Sequence, residues 1–372
     1  MAFKFVDLFC GIGGFHIALT NLGGKCVFAS DIDTKCQDNY EKNFGMRPVG
    51  DITKVEAQDI PAHDVLCGGF PCQPFSSAGH REGVADTRGS LFREIERIVE
   101  HHKPKILLLE NVKHIKKIQK GVVFQTILKT FENLGYTMKT VVMSPHQFGI
   151  PQTRERVYFM GVRKEFTMPP DPVKSKHQIL QRQPGFDIKP ELRQVFAAWD
   201  EILPVISRAG VKHPVLLDYF KNTEDTENFA AWKKNYIRVN KSLYELEPAV
   251  WDNWLNKHAE LLGKKKVYRK LEWQVGGILP NDSITNHFIQ LRQSGMRVKK
   301  ATTFPTLVAI VQTPIYGPEQ RYLTPRECAR LQSFPDTHEL HEKNQIAYKQ
   351  LGNSVNVNVV QHIMGHLLSY ME

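Results

Sequence analysis

One cysteine stands in a loop whose composition suits nucleophilic chemistry. Cys72 lies in the segment GGFPCQPFS, where the flanking prolines stiffen the chain and a place in a packed core is hard to form. A thiol acts as a nucleophile when it is ionised, which requires a cationic or acidic partner nearby. The alternative for any free cysteine is an inert position in the core. The segment therefore predicts a reactive thiol at position 72.

Candidate partners for this thiol accompany two other apolar runs. Glu110 ends the strand-like run KILLLE, so it should reach the same sheet edge as Cys72, where an apolar setting can raise its pKa and make it an acid. Arg154 and Arg156 precede VYFMGV and share one side of an extended chain, which suits an anion or a developing negative charge. Taken singly, Glu110 could be a strand-end ion pair and each arginine a surface partner of Glu155.

A second group of residues has the pattern of a nucleotide site. The run KFVDLF leads into Gly11, Gly13 and Gly14, and Asp31 ends the next strand-like run. Glycines let a ligand approach the backbone, and an acid at this place accepts hydrogen bonds from ribose hydroxyls. Asp51 follows a later strand and strengthens the pattern. Because the loop departs from GxGxxG, it favours an adenosine ligand without phosphates over a pyrophosphate cofactor.

The elements that must position these residues alternate along the first third of the chain. KFVDLF, KCVFAS, HDVLCGGF, PKILLLENV and ERVYFMGV predict strands, and apolar periodicity predicts helices near residues 14–22, 91–101 and 124–134. This alternation predicts parallel βαβ units in a doubly wound α/β sheet.

The pattern changes in the middle of the chain. Residues 169–190 are rich in Pro, Lys and Gln and predict a domain boundary. Beyond it, PAVWDNWLNKHAELLGKKK predicts a helix and TLVAIVQTPIYG a strand, within a separate, smaller domain. The run NVNVVQHIMGHLLSY predicts a C-terminal helix capped by Asn353 or Ser354.

Composition places the chain among globular proteins and excludes disordered and fibrous classes. It has 372 residues, 41% hydrophobic and 24% charged, with a mean hydropathy of -0.35. Of its net charge of +10, a net +8 lies in residues 173–300, which hold 22 Lys/Arg, 14 Asp/Glu and all five tryptophans. A polyanion bound by this region is one interpretation. The other is that the tryptophans are core and the cations form a solvated face.

The remaining signals concern compartment and metals. The six cysteines form no CxxC pair, and the sequence shows no signal-peptide pattern and no run long enough to span a membrane, which predicts an intracellular protein with reduced thiols. His362 and His366 have a spacing that can bind a metal. Without a third ligand or a catalytic glutamate, no metal site is predicted.

Six blocks in order resemble the bacterial DNA (cytosine-5)-methyltransferases of restriction-modification systems: DLFCGIGGF, GGFPCQPFS, ENV, QTRERVY, RYLTPRECARLQSFPD and LGNSV. The blocks span roughly residues 3–162 and 321–372. The resemblance implies a Rossmann-like S-adenosylmethionine-dependent methyltransferase domain formed by residues 1–172 and 345–372, with a C-terminal helix that returns to this large domain. It implies a target-recognition domain over residues 173–320 and a connecting segment over 321–344.

The resemblance also implies a reaction. S-adenosyl-L-methionine is the methyl donor, S-adenosyl-L-homocysteine the product, and a cytosine flipped out of duplex DNA the substrate. Cys72 adds to C6, and the resulting enamine attacks the methyl group. Glu110 engages N3 and the exocyclic amine, while Arg154 and Arg156 position the base and the nucleophile loop. Loss of the C5 proton and elimination of Cys72 then release the product.

Further roles are implied by position in the blocks. Ser76 and Arg88 on the catalytic loop, and Thr306 in TFPTL, are expected to contact DNA. Arg321, Pro325, Arg326 and Glu327 are expected to tie the domains together structurally, and Lys264, Lys265 and Lys266 to position DNA nonspecifically. The expected cofactor-binding residues are Phe9, Gly11, Ile12, Gly13, Gly14, Asp31, Ile32, Asp51, Ile52, Phe70, Pro71, Leu91, Asn353, Ser354 and Val355.

The resemblance thus implies a DNA (cytosine-5-)-methyltransferase that acts as a monomer on double-stranded DNA in the bacterial cytoplasm, at the nucleoid, with or without a separate cognate endonuclease. Three alternatives are open. A tRNA cytosine-5 methyltransferase uses the same blocks, although the long basic insert argues for duplex DNA. A catalytically inactive DNA-binding relative is opposed by the presence of Cys72, Glu110, Arg154 and Arg156. An NAD-dependent oxidoreductase with a reactive cysteine would share the sheet and the glycine loop.

Overall fold

The computed structural model describes residues 2–71, 90–210, 214–221, 227–309 and 312–371. The chain folds into two compact units. The first unit comprises Met1–Leu180, Val308–Ile310 and Pro325–Glu372, and the second comprises Gln181–Leu307 and Val311–Thr324. The first segment of the first unit therefore ends at Leu180, eight residues beyond position 172, and the segment 321–344 is divided between the two units after Thr324.

The strands and helices have the following bounds. The strands are β1 (Phe3–Leu8), β2 (Gly24–Ser30), β3 (Val65–Gly69), β4 (Ile106–Val112), β5 (Thr137–Met143), β6 (Arg156–Val162), β7 (Val215–Leu216), β8 (Lys270–Trp273), β9 (Phe288–Arg292), β10 (Gly295–Lys299), β11 (Ile315–Tyr316) and β12 (Arg321–Tyr322). The helices are α1 (Gly14–Asn21), α2 (Thr34–Phe44), α3 (Ser90–His102), α4 (Val122–Asn133), α5 (Pro190–Arg208), α6 (Ala231–Leu246), α7 (Pro248–Lys257), α8 (Ala259–Gly263), α9 (Pro325–Leu331), α10 (Asn344–Asn353) and α11 (Val357–Leu367).

The first unit contains a mixed six-stranded sheet in the order β2-β1-β3-β4-β6-β5. Strands β1 to β4 pair in parallel, as predicted, whereas β6 is antiparallel to both β4 and β5. The expectation of parallel pairing was wrong at this edge. Strand β5 was not predicted, because TMKTVVM is half-buried along most of its length and lacks a continuous apolar run. The predicted α/β class is confirmed.

Apolar periodicity explains how the helices of the first unit pack. Helix α3 buries Phe92, Ile95, Ile98 and Val99, at the spacing of one helical face, in the same core as Leu107 of β4. The three helices predicted near residues 14–22, 91–101 and 124–134 are confirmed as α1, α3 and α4.

The cap predicted for the last helix was wrong. Asn353 is the final residue of α10 and Ser354 is the cap at its C-terminal end. The N-cap of α11 is Asn356, whose side chain accepts a hydrogen bond from the Val359 amide at 3.1 Å. Two asparagines lie within four residues here, and only the one whose backbone is extended ahead of the helix can cap it.

The second unit has its own sheet, in the order β12-β11-β9-β10-β8-β7, and its own core. Trp199, Trp251 and Trp254 are buried in that core, and Trp232 is 63% exposed. The core interpretation therefore holds for at least these three tryptophans. The predicted helix over PAVWDNWLNKHAELLGKKK divides into α7 and α8, whereas the strand predicted over TLVAIVQTPIYG is limited to β11 among its described residues. No helix in the described part of the chain has the length and apolar character needed to cross a bilayer.

Candidate active site

A cavity of about 460 Å³ lies in the first unit at the carboxyl ends of β1, β2, β3 and β4. This edge of a parallel sheet is where α/β folds bind ligands, because loops diverge there and leave a crevice. A turn of chain from the end of α10, residues 350–355, forms another wall. The sequence-predicted residues that line the cavity are Phe9, Gly11, Gly14, Asp31, Ile32, Ile52, Phe70, Pro71, Leu91, Glu110, Arg154, Arg156, Asn353, Ser354 and Val355.

Three expected cofactor residues do not line the cavity. Ile12 is buried in the core, and Gly13 faces α2, where an added Cβ would come within 2.2 Å of the Phe44 ring. The Asp51 carboxylate accepts hydrogen bonds from the Thr53 amide at 3.1 Å and hydroxyl at 2.7 Å, which hold the pKa of Asp51 below its ordinary value. All three support the loops around the cavity.

Three of the remaining predicted residues, Cys72, Ser76 and Arg88, lie outside the described residues. Pro71, the residue before Cys72, lines the cavity. Thr306 belongs to the second unit, where it is half-buried.

Asp31 organises the glycine loop. One of its carboxylate oxygens accepts a hydrogen bond from the Gly11 amide at 2.8 Å, and the other accepts from the Asp33 amide at 2.9 Å. Burial raises the pKa of Asp31, and these two bonds oppose that rise. Gly11 has φ of +55°, a left-handed conformation that favours glycine, and no atom lies within 4 Å of where a Cβ would stand. The loop thus leaves open space beside a carboxylate.

The cavity also has an apolar wall. The Ile32 side chain, next to Asp31, is 74% exposed, which is unusual for a large aliphatic group. Together with Phe9, Leu91 and Val355 it gives the cavity an apolar surface beside the Asp31 carboxylate. Apolar surface beside a hydrogen-bond acceptor is the combination that a nucleoside needs.

Glu110 and Arg156 form a buried ion pair in the lining of the cavity. The Arg156 Nε donates to a Glu110 carboxylate oxygen at 3.0 Å, and both side chains are largely shielded from solvent. Burial raises the pKa of Glu110 above its ordinary value, although Arg156 and Arg154 oppose the rise. The ionic partner of Glu155 is Lys113, at 2.8 Å. The Glu110 carboxyl therefore binds a proton more readily than the carboxyl of an exposed glutamate.

Arg154 is directed to a different set of atoms. It is 3% exposed, and its Nη2 donates to the carbonyls of Gly352 at 2.9 Å and Ser354 at 2.8 Å. Burial lowers the pKa of Arg154 to about 9, so the guanidinium stays charged at neutral pH. It ties the residue 350–355 wall to the chain that leads into β6.

Asn111, for which the sequence predicted no role, connects two of the strands that end at the cavity. The Asn111 side chain donates to the Phe70 carbonyl at 2.9 Å and accepts from the Val112 amide at 2.8 Å. It thereby ties the chain leaving β3 to the end of β4. Asn111 belongs to the ENV block, but no role was predicted for it. The other cavity-lining residues that were missed are Cys10, Phe15, Ser30, Asp33, Cys36, Gly50, Gly69, Val112, Gln350 and Gly352.

The cysteines in the described part of the chain are poor nucleophiles. Cys10, Cys26, Cys36, Cys67 and Cys328 are all buried. Burial raises the pKa of Cys26 and of Cys36 to about 12, and it raises the pKa of each of the other three. A thiolate is therefore disfavoured at all five positions at neutral pH.

The two histidines of the last helix have other partners. The Nε2 of His362 bonds to the Pro170 carbonyl at 2.8 Å, and that of His366 to the Thr167 carbonyl at 2.9 Å. Both hold the chain that follows β6 against α11. Among the described residues, no three His, Cys, Asp or Glu side chains gather closely enough to hold a metal ion.

The residues expected to play structural roles have defined partners or positions. Arg321 is 1% exposed and pairs with Glu319 at 2.7 Å within the second unit. Pro325 begins α9, where Glu327 is fully buried. The Arg326 side chain donates to the carbonyls of Pro335 at 3.2 Å and His338 at 2.8 Å.

Comparison with known proteins identifies the family. The model of the family described as C-5 cytosine-specific DNA methylase matches residues 3–369. The chain belongs to the C-5 cytosine-specific DNA methylases. It therefore methylates C5 of cytosine in DNA, and S-adenosyl-L-methionine is the methyl donor.

Individual methylases resemble the whole chain. A type II methyltransferase of Dactylococcopsis salina, M.DsaV, is 34% identical, with 99% of this chain and 87% of the relative covered. Another from Haemophilus parahaemolyticus, M.HhaI, is 31% identical over 97% of this chain and 92% of its own length. Among solved structures, an Escherichia coli prophage protein described as a putative DNA modification methyltransferase has a TM-score of 0.61 at 19% identity, covering 99% of each chain. The S. pombe Dnmt2 methyltransferase has a TM-score of 0.53 at 21% identity, covering 99% of this chain and 98% of its own.

The cavity of the methylase fits its cofactor. Open space beside Gly11, the Asp31 carboxylate and the exposed Ile32 side chain provide room, a hydrogen-bond acceptor and an apolar surface, which are what an adenosyl group requires. S-adenosyl-L-methionine supplies an electrophilic methyl group when it is bound. Catalysis then depends on how the protein makes C5 of cytosine a nucleophile.

Proposed function

We propose that this methylase modifies one cytosine within a specific duplex sequence, with the base flipped into the cavity and Cys72 as the covalent nucleophile. The observation that carries the proposal is the buried Glu110–Arg156 pair, 3.0 Å apart, in the wall of the cavity that also contains Pro71. The chain passes from Pro71 directly to Cys72. A carboxyl whose pKa is raised by burial thus lines the same cavity as the residue that precedes Cys72 in the sequence.

The chemistry follows from the weak nucleophilicity of cytosine C5. The Cys72 thiolate forms a bond to C6, and the ring electrons shift so that C5 becomes enamine-like. C5 would then bond to the methyl carbon that S-adenosyl-L-methionine supplies, and breakage of the bond between that carbon and sulfur would leave S-adenosyl-L-homocysteine. Loss of the C5 proton returns its electron pair to the ring as the bond between the sulfur and C6 breaks, so the thiolate is regenerated.

Glu110 is proposed to assist the first step. A carboxyl that donates a hydrogen bond to N3 must carry a proton, and burial raises the pKa of Glu110 in that direction. Arg156, through its Nε, holds the carboxyl in place. Arg154 supports the cavity through its bonds to the 352 and 354 carbonyls.

The expected cofactor residues are proposed to contact different parts of S-adenosyl-L-methionine. Asp31 accepts from the ribose, Ile32 packs against the adenine, and the glycine loop with Phe70 and Pro71 encloses the methionine end. Asn353, Ser354 and Val355 close the cavity. Asp51 is proposed to lie near the adenine amine; its carboxylate accepts a hydrogen bond from the Thr53 amide, which holds the loop in place.

The second unit is proposed to be the target-recognition domain, and the first unit the catalytic domain. Several cations of the second unit are neutralised internally: Lys264 and Lys265 lie 3.9 and 3.3 Å from Glu191. By contrast, Lys233, Lys234, Arg238 and Lys241 of α6 have no carboxylate partner within the described residues. The latter set is better suited to contact phosphates, with Thr306 near the flipped nucleotide.

The biological setting is part of the proposal. Relatives named as type II methyltransferases support a modification enzyme of a restriction-modification system, or an orphan methylase. The protein is proposed to act as a monomer in the bacterial cytoplasm, on nucleoid DNA, with any cognate endonuclease acting separately. Extrusion of the base costs a few kcal/mol, which DNA contacts from both units offset.

Methyl transfer from labelled S-adenosyl-L-methionine tests the nucleophile. The variant Cys72→Ser should lose methylation of duplex DNA while it still binds S-adenosyl-L-homocysteine. The matched control is Cys26→Ala, at a cysteine buried away from the cavity, which should remain active. Substantial activity in Cys72→Ser would refute the covalent step.

The substrate is tested in parallel. Duplex DNA should be labelled and tRNA should not, and the reverse result would establish the RNA alternative. Bisulfite sequencing of DNA from cells that express the protein should show methylated cytosines in one sequence context. Scattered methylation without a shared context would contradict a specific recognition sequence.

A further inference from the structure

A strongly basic turn follows the active-site glutamate in the chain. Residues 113–120 have the sequence KHIKKIQK, and we call this segment the basic turn. It contains Lys113, His114, Lys116, Lys117 and Lys120, all exposed, and no acidic residue. It starts immediately after Glu110, Asn111 and Val112, which line the cavity.

Two apolar anchors fix this turn to the first unit. Ile115 is fully buried in the core of that unit, and Ile118 packs against the same core. The lysines between and beyond these anchors therefore point into solvent. Gln119 and Lys120 have φ of +47° and +56°, and Gly121 has +93°, so the chain reverses sharply before α4 begins at Val122. The basic side chains are thus presented from a fixed backbone.

Within the part of the chain that the structure describes, one of the four lysines of the basic turn has a carboxylate partner. Lys113 pairs with Glu155 at 2.8 Å. Lys116 lies 5.1 Å from the centre of the Phe124 ring. Lys116, Lys117 and Lys120 have no carboxylate partner among the described residues. Three unpaired cations close together on an anchored turn form a local site for an anion.

The position of the turn indicates which anion. The reaction requires DNA to bring a cytosine to the cavity, so phosphates of the nucleotides around the target must come near its rim. Since the basic turn continues from that rim, we propose that Lys116, Lys117 and Lys120 bind DNA phosphates beside the target cytosine. This proposal rests on the DNA methylation proposed above and adds a contact made by the catalytic unit itself.

Such contacts leave a measurable signature in salt dependence. Each phosphate neutralised by a cation adds about 0.9 to the steepness with which log affinity falls against log salt concentration. One such contact therefore raises the affinity at 0.1 M salt about eightfold relative to 1 M salt. Three contacts should therefore change the slope by about 2 to 3 and the affinity by about 100-fold or more. Because phosphate contacts position DNA without reading bases, sequence preference should be unchanged.

The experiment compares two triple variants. The first replaces Lys116, Lys117 and Lys120 by glutamine. The control replaces Lys103, Lys105 and Lys129 by glutamine. Lys103 and Lys105 precede β4, whereas the basic turn follows it. Lys103, with φ of +49°, also has the left-handed backbone conformation found at Lys120. Both variants remove three exposed lysines of the first unit. Methyl transfer to plasmid DNA is measured between 50 and 200 mM NaCl, together with binding of S-adenosyl-L-homocysteine.

The first variant should show a raised KM for plasmid DNA and a shallower salt slope, with kcat and S-adenosyl-L-homocysteine binding close to those of the wild type. The control should match the wild type. Equal losses in the two variants, or a wild-type slope in the first, would overturn the inference. Should the triple variant fail to fold, Lys117→Gln alone must still reduce the slope by about 0.9. A wild-type protein that methylates no DNA would instead refute the proposed function.

Discussion

Arg154 offers the most direct test of how the cavity is assembled. Its guanidinium donates to the carbonyls of Gly352 and Ser354 from a position that is 3% exposed. Hydrogen bonds that involve a charged group contribute about 1.5–3 kcal/mol each, so the two together stabilise the fold by about 3–6 kcal/mol. Because Gln332 also donates to the Ser354 carbonyl, at 3.2 Å, the expected loss lies nearer the lower value.

Two substitutions separate charge from geometry. Arg154→Met keeps the length of the side chain but removes both donors, so the free energy of unfolding should fall by about 3 kcal/mol. Arg154→Lys keeps the charge but not the planar fork, and about half of that loss is expected. Urea unfolding followed by circular dichroism measures both. Binding of S-adenosyl-L-homocysteine should weaken as well, since the residue 350–355 wall loses its attachment.

A surface arginine provides the control. Arg47 pairs with Asp38 and Glu41 on an exposed face, and Arg47→Met should leave the unfolding midpoint essentially unchanged. The reasoning is refuted if Arg154→Met unfolds like the wild type and binds S-adenosyl-L-homocysteine normally while methyl transfer is lost. In that case Arg154 would act on the nucleotide and not on the wall.

Two further predictions concern the same cavity. Gly14→Ala should lower the free energy of unfolding by about 1–3 kcal/mol and weaken cofactor binding, because the new Cβ would lie 2.7 Å from a Val355 methyl group. The control is Gly263→Ala, where a Cβ would stand in open space. Equal effects of the two substitutions would contradict the packing argument. Burial raises the pKa of Glu110 above its ordinary value of 4.5, so the stability it contributes is fully present below about pH 4.5 and is lost as pH rises through its folded pKa. Glu110→Gln should therefore gain stability relative to the wild type as pH rises above about 4.5, and a constant difference in urea unfolding would argue against this.

Much of the fold of the first unit was predictable because its signals in the sequence are local. The glycine loop, the Asp31 strand end and the periodicity of α1, α3 and α4 each depend on residues within about twenty positions of one another. Strand direction carries no such signal, since the pairing of β6 depends on how the chain crosses the sheet. Strand β5 was missed for a related reason, because a half-buried edge strand has no strong apolar pattern.

The candidate site was predictable as a set of residues but not as a set of contacts. Glu110 and Arg156 both line the cavity, and their direct ion pair is a detail of side-chain geometry that their spacing in the sequence does not reveal. The bonds from Arg154 to carbonyls 198 and 200 residues away could not be inferred from spacing, because any polar backbone atom could have been the acceptor. Asn111 acts through the Phe70 carbonyl, which no composition signal marks.

The residue 350–355 wall has a consequence for the order of events during synthesis. Strands β1 to β6 leave the ribosome long before this wall, and the whole second unit is translated in between. A nascent chain that stops short of Gln350 therefore holds the glycine loop and Glu110 but lacks one side of the cavity. Contacts between segments so far apart in sequence slow folding, because a long loop must close before they form. Cofactor capture should thus be among the last steps of maturation, which would keep incomplete chains from acting on DNA.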